Sequence, residues 1–419
     1  MTGVRRRPHV VVIHRWRARY AHYERYLDHT AHAVSYITTE VGAEAVPEGA
    51  VEIAVVAATD DLAHVRKQLD ALATRHGAPR SVVALKEDDL LVAAQLAMEW
   101  NCRARRPQEL LPMRDKLLMA RAVSGAGLAA PAFATAPDRR AVRAFAERHG
   151  WPVVLKPRTG SSSEGVVRID DAAGLNQAFE ASAAEELLVQ AYNPHPVHHV
   201  DGVFDGRDLG PWRVSRYLNT CLGFRSGDSL GSVEVDRPEV RAAIGDFTRR
   251  VLRALTDRPT AFHLEVFVES REDSSVRCSF LEIGARVGGS EIPFLWREVH
   301  GYDLMEAAFR IALGQPPQPY EPPGPPAAGP EIGGWLLVPA PAARPCLIQE
   351  VTPMTGREPG PYAEALLRPG EILPAADAYY EHVGGRFRFR GATSAGVEAA
   401  VVATARDFRV RGIPCGSTP

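Results

Sequence analysis

Two glutamates carry the first chemical signal. Residues 261–269 (AFHLEVFVE) and 276–284 (VRCSFLEIG) read as strands around a polar turn, residues 270–275. A turn centred there pairs residues whose numbers sum to 547, which sets Glu265 opposite Glu282, Val266 opposite Leu281 and Phe267 opposite Phe280. Like charges directly opposite on a sheet repel unless something neutralises them. A divalent cation would do so, and two carboxylates suit a hard, oxygen-seeking ion such as Mg2+. A register slip, or two solvated surface glutamates, is the alternative.

Two further stretches add charge and small residues. In residues 153–167 (VVLKPRTGSSSEGVV) a strand ends at Lys156 and a Gly/Ser loop follows. Small residues let backbone N–H groups approach an anion, the serine hydroxyls add donors, and Lys156 supplies a point charge. The loop lacks a Gly-Lys-Ser/Thr ending, so it is not a Walker A loop. An ordinary hairpin loop is its plain reading. Arg286 lies four residues beyond Glu282, ahead of Gly288 and Gly289. A guanidinium there would bind a carboxylate or a transferring phosphoryl group, or make a structural salt bridge.

His195, His198 and His199 invite a zinc reading. His198 and His199 are adjacent in an expected strand and so face opposite sides, which excludes a shared site. His263 shares a face with Glu265 and reads as a supporting residue or a core histidine. Tyr217, Asn219, Arg225 and Ser232, in residues 216–233, read as a substrate pocket or as a surface loop.

The elements that must position these groups follow from periodicity. Residues 10–13, 34–39, 51–58 and 81–85 read as strands alternating with helices, which implies a parallel sheet. Thr59-Asp60-Asp61 reads as helix-capping chemistry, and the pair Asp88–Asp89 as opening the next helix. Helices are expected at 115–125 and 138–150, the second capped by Asp138. A mostly antiparallel section follows, with helices near 171–182 and 238–255. Residues 316–330 hold eight prolines in fifteen and read as a semi-rigid linker. A final helix is expected at 394–406.

Composition narrows the class. The chain has 419 residues, and its charge is 49 − 51 = −2. That balance excludes a general nucleic-acid binder. The run at Arg5–Arg7 is too isolated to change this. No apolar stretch has the roughly 18 residues of a membrane helix, and residues 10–13 are too short for a signal h-region. The five cysteines are scattered and at no metal or redox spacing. A cytoplasmic location with reduced thiols is expected.

Taken in order, these parts resemble the ATP-grasp superfamily, and within it the bacterial L-amino acid ligases that form dipeptides. The resemblance implies an α/β, multi-domain fold. Residues 1–105 would form an N-terminal parallel preATP-grasp domain and 106–315 the ATP-grasp domain, with a lid at about 150–190. The linker at 316–330 would precede a small, β-rich closing domain at 331–419. It implies ATP binding by Lys116 (in MRDK), Lys156, Ser161, Ser162, Ser163, Gly165, Gln190, Tyr192 and His199. It implies Mg2+ on Glu265 and Glu282, with Mn2+ able to substitute, and a catalytic Arg286. Substrate contacts fall to Arg286, Gly288, Gly289, Tyr217 and Ser232.

The implied reaction activates an amino-acid carboxylate as an acyl phosphate and joins it to an amine, releasing ADP and phosphate. Partners are ATP and small amino acids, with no nucleic acid or membrane, and a homodimer is compatible. An ATP-grasp carboxylase, another small-metabolite ligase or kinase, and a nucleotide-binding protein without turnover are the alternatives. Two positions depart from the pattern. Val197 stands where many members carry a ribose-binding Glu, with Asp201 as a candidate substitute. Gly284 stands where many carry Asn, so a second metal ligand is in doubt.

Overall fold

The computed structural model describes all residues except 1–5, 18–19, 181–185, 272–274, 321–330, 376–382 and 416–419. Arg5, most of the proline-rich stretch and the tip of the glutamate hairpin fall outside the described residues.

The alternating N-terminal pattern folds as a parallel sheet ordered Glu52–Val55, Ala33–Thr38, His9–His14, Pro79–Ala84. Its inner strand His9–His14 is buried along its whole length, as the apolar run Val10 to Ile13 requires. Asp61 caps the next helix, Leu62–His76, by accepting from the Ala63 and His64 amides. Asp88 and Asp89 do not cap Leu90–Glu99 through their side chains. Both carboxylates make ion pairs instead: Asp89 with Arg15 at 2.6 Å and Asp88 with Arg114 at 2.7 Å. An arginine within reach wins over the local backbone amide because a charge-assisted bond is roughly twice as strong.

An eight-stranded antiparallel sheet forms the middle of the molecule. Its order is Val276–Gly284, Thr260–Ser270, Val197–Phe204, Leu209–Tyr217, Leu230–Glu234, Ile332–Pro339, Val383–Gly391, Ala363–Leu366. The three C-terminal strands thus continue this sheet, joined where Leu230 to Val233 pair with Leu337 to Gly334. Helix Pro238–Leu255 contributes Val240, Ile244, Val251 and Leu252 to one core with Phe262, Leu264 and Val266. Each such fully buried aliphatic side chain contributes about 1.5–3 kcal/mol.

A separate small sheet, ordered Phe133–Thr135, Leu187–Ala191, Val153–Pro157, Val167–Ile169, carries Lys156 and Gln190. In Val383–Gly391 the sequence alternates Arg and Phe. Phe387 and Phe389 are buried in the C-terminal core, which sends Arg386 and Arg388 to the other face. Among the described residues no helix is long and apolar enough to cross a membrane.

Candidate active site

The hairpin places Glu265 directly opposite Glu282. The rest of the expected register is corrected. A bulge after Glu265 leaves Leu281 unpaired, so Val266 faces Phe280 and Phe267 faces Ser279. A bulge re-aims a side chain, and here Leu281 lines a cavity beside Glu282. One oxygen of Glu265, Oε1, accepts from the Tyr217 hydroxyl at 3.1 Å and lies 3.5 Å from His263 Nε2. Burial disfavours the Glu265 carboxylate, yet His263, His199 and Tyr217 outweigh it and hold the group below its ordinary range.

The two lysines approach the pair from separate elements. Lys116 opens helix Lys116–Gly125, whose cap Asp115 accepts from the Leu117 and Leu118 amides. Its ammonium donates to the Gly160 carbonyl at 3.0 Å and stands 3.6 Å from Glu282. Lys156, at the end of its strand, is buried and donates to Gln190 Oε1 at 2.9 Å. Burial pushes the Lys156 ammonium down to about 8. The Gly/Ser loop joins them with an unusual backbone. Ser162 and Ser163 sit at φ of 59° and 56°, a left-handed region that costs a serine about 1–2 kcal/mol each. The Arg225 guanidinium holds the Ser162 carbonyl at 3.1 Å.

These groups line a cavity of about 180 Å³, with Lys116, Lys156, Ser161, Ser163, Gln190, Tyr192, Glu265 and Glu282 in its wall. Arg168 lies over the Tyr192 ring at 4.4 Å, and Val197 lines the same wall. A second cavity of about 190 Å³ adjoins it, with Ser162, Arg286, Gly288, Gly289 and Ser290 in its wall. Ser161, Ser163, Tyr217, Cys221, Glu265 and Glu282 line both cavities. The glutamate pair therefore stands at the junction of two chambers.

Arg286 is held by a residue the sequence did not single out. Its Nε donates to Glu87 Oε2 at 2.8 Å, and Arg114 reaches the other oxygen of Glu87 at 3.1 Å. Burial opposes the Arg286 charge, but Glu87 outweighs it and holds the guanidinium protonated above its ordinary range. A Cβ on Gly284 would come within 3.2 Å of Arg286 Nε and 3.3 Å of Glu87 Oε2. The ion pair thus occupies the space that a side chain at position 284 would need. The only sequence cue to Glu87 was its place at the end of a parallel strand, where such folds put their sites.

Several candidates lie elsewhere. His199 and Ser232 line neither cavity; they are joined to each other at 2.7 Å behind Tyr217. Gly165 also lines neither, and its left-handed φ of 67° closes the Gly/Ser turn. Asp201 is buried and lines neither cavity. Asn219 spends its amide on the Ser229 carbonyl at 2.7 Å.

His199, Asp201 and His263 do form a cluster of three buried ligand types. Asp201 accepts from His199 at 2.6 Å and from His263 at 2.8 Å. Burial would raise Asp201, but the two imidazoles outweigh it and hold the carboxyl far below its usual range. The same pairing pushes His263 up to about 9 against the opposing effect of burial. These hydrogen bonds account for the cluster without a metal. Gly288 packs against it: a Cβ there would fall 2.3 Å from Asp201 Oδ1 and 2.9 Å from His263 Nδ1.

The parallel sheet, the small lysine-bearing sheet and the antiparallel sheet with its paired glutamates together make the ATP-grasp fold. The fold superposes on the crystal structure of an L-amino acid ligase from Bacillus licheniformis with a TM-score of 0.72 and 17% identity, covering 98% of this chain and 100% of that one. Within the fold, this chain resembles the L-amino acid ligases. Carnosine synthase 1 of Gallus gallus is 31% identical over 194 residues, which span 40% of this chain and 19% of that protein. The carbamoyl phosphate synthase large chain of Rubrobacter xylanophilus is 24% identical over 342 residues, 75% of this chain and 31% of that one. The chain thus spans less than a third of either curated relative. No family model matches the sequence.

Proposed function

We propose that the protein is an ATP-dependent carboxylate–amine ligase that activates an amino-acid carboxylate as an acyl phosphate and joins it to an amine, forming a dipeptide. The observation that carries this reading is the meeting of two chambers across Glu265 and Glu282. One chamber has the buried lysines that suit phosphates, and the other has Arg286, which suits a carboxylate.

The donor set fits the expected cation. Glu265 and Glu282 offer oxygen only, directly opposite each other, and Tyr217 and His263 both engage the same oxygen, Oε1, of Glu265. Mg2+, when bound, would neutralise charge that builds on the transferring phosphoryl group. Lys116 and Lys156 hold ATP phosphates as point charges. Residues 160–165 cover them and exclude water from an intermediate that water would hydrolyse. Arg286, oriented by Glu87, aligns the acid so that its oxygen attacks the γ-phosphorus, while the bond from that phosphorus to the bridging oxygen breaks and ADP leaves with the bonding pair. The amine nitrogen then attacks the acyl carbon and gives up a proton. The bond between the acyl carbon and the bridging oxygen breaks, and phosphate leaves with that oxygen and the bonding pair.

The test is ADP and phosphate release with Mg-ATP and pooled amino acids, followed by mass spectrometry. The expected product has the mass of two amino acids minus water. Carboxylated or phosphorylated products would instead move the protein to another ATP-grasp reaction. ATP binding without release under any acid and amine would make it a binding protein.

A further inference from the structure

A third cavity, of about 100 Å³, lies at the seam between the parallel sheet and the central sheet. Strand Pro79–Ala84 and helix Leu90–Glu99 line one side of it. Thr260, Ala261 and helix Leu304–Ala312 line the other. It shares no residue with the nucleotide chamber. Eight of its sixteen lining residues are alanine, and five more are Val, Leu or Ile, so its walls are almost wholly apolar.

Two charged side chains reach this space, Arg105 and Arg286. Glu87 neutralises Arg286 at 2.8 Å. Arg105 has no such partner among the described residues. All its hydrogen bonds run through one nitrogen, Nη2, which donates to the Arg258 and Pro259 carbonyls and to the Thr260 hydroxyl. The acids whose charge it feels are committed elsewhere. Glu109 pairs with Arg258 at 2.8 Å, and Asp257 is exposed and 3.7 Å from the same arginine. Burial therefore pushes the Arg105 guanidinium down to about 10, against the weaker opposing pull of Glu109 and Asp257. It is still a cation at neutral pH.

A charge withdrawn from water normally carries an opposite charge. Thr260 lines the cavity and anchors Nη2, while Nε and Nη1 keep three of the five N–H donors. The partner these donors call for is an anion from outside the chain. The walls set the rest of it. A dry cavity of about 150 Å³ takes benzene, so this one has room for about four carbon atoms. Ala104 is exposed, which puts the mouth beside Arg105, whereas Ala84, Ala93, Ala94 and Ala261 are buried further in.

We propose that this cavity binds a small aliphatic monocarboxylate, with the carboxylate on Arg105 at the mouth and the chain among the alanines. Leu85 and Arg286 form a wall common to this cavity and the second chamber, so the ligand stands against the reverse of the Arg286 wall. Binding there does not depend on the ligation chemistry.

Butyrate is the probe, titrated into the full chain by ligand-observed NMR beside acetate and butyramide. Butyrate should bind saturably. Acetate should bind about 15-fold more weakly, at about fourfold per CH2. Butyramide, which lacks the charge, should bind about tenfold or more weakly. Arg105→Gln should weaken butyrate by about tenfold or more and leave butyramide unmoved, Arg105→Lys should keep part of the affinity, and Ala94→Leu should remove it by filling the space. Thermal melting checks that the variants fold. Hydrogen exchange locates the site in wild type: butyrate should protect residues 104–110 and 308–312, and not 221–230 at the second chamber. Equal binding of butyrate and butyramide, no saturable binding of butyrate, or an affinity unchanged in Arg105→Gln overturns the assignment. So does protection at 221–230 instead, and so does inorganic phosphate displacing butyrate at equal concentration, which would mean an adventitious anion only.

Discussion

Glu87 and Arg286 lie 199 residues apart and meet at 2.8 Å. One comes from the end of the parallel sheet and the other from the turn after the second glutamate strand, so the pair ties the first hundred residues to the site. Glu87 is buried, and Arg114 shares its charge. Burial raises a carboxyl, but Arg286 and Arg114 outweigh it and hold Glu87 below its ordinary value of 4.5. A depressed carboxylate contributes stability that is present above its unfolded pKa and lost as pH falls through the folded one. Glu87→Gln should therefore lose about 3 kcal/mol at pH 7, and its stability should fall less than that of wild type below pH ~4.5. Urea melts across pH check this. Turnover should drop about tenfold or more, because Arg286 loses its orienting partner.

Metal dependence should follow the glutamate pair. Glu282→Gln should lower turnover by roughly 10²–10³, the scale of one well-placed charge at a transition state. Mg2+ should raise the melting temperature of wild type and leave that of Glu282→Gln unmoved, since the cation neutralises two opposed carboxylates. A chelator should abolish turnover. Near wild-type turnover in Glu282→Gln would remove the metal assignment.

With the proposed role in phosphate binding, Lys156 should set a pH limit on nucleotide binding. Its buried ammonium is pushed down to about 8. The charged form grips phosphate, so affinity for Mg-ATP should be flat below pH ~8 and weaken as pH rises through it. Binding at pH ~8.5 should take up a fraction of a proton, because the phosphate charge restores the ammonium. Calorimetry in buffers of different ionisation heat measures that uptake. Lys156→Arg should abolish it, since arginine stays charged.

The two adjacent glycines should respond differently. A Cβ on Gly288 would strike Asp201 at 2.3 Å, whereas one on Gly289 meets nothing within 4 Å. Gly288→Ala should displace the Asp201–His263 pair behind Glu265 and cost about 1–3 kcal/mol of stability. Gly289→Ala should melt within about 0.5 kcal/mol of wild type. Equal melts would mean that position 288 has room the geometry denies.

The sequence made much of this legible. Val10 to Ile13 announced a buried parallel strand, and the sum of 547 found the Glu265–Glu282 register, because a short hairpin leaves few alternatives. Symmetry of the turn could not reveal the bulge at Leu281, which depends on packing beside the cavity. Glu87 was not singled out. It acts through Arg286, a partner distant in sequence, and an acid just past a strand end looks like a solvated charge until the fold brings the partner in. His199 and Ser232 shared a register with the site but face behind it, a distinction that only three-dimensional packing makes.

The central claim is that the acid is activated by forming a bond to phosphorus. It is tested by labelling both carboxylate oxygens of the activated amino acid with 18O and examining the phosphate released. The account predicts one 18O per phosphate, because the oxygen that attacks the γ-phosphorus leaves with it when the amide forms. Unlabelled phosphate released along with a ligated product would contradict it.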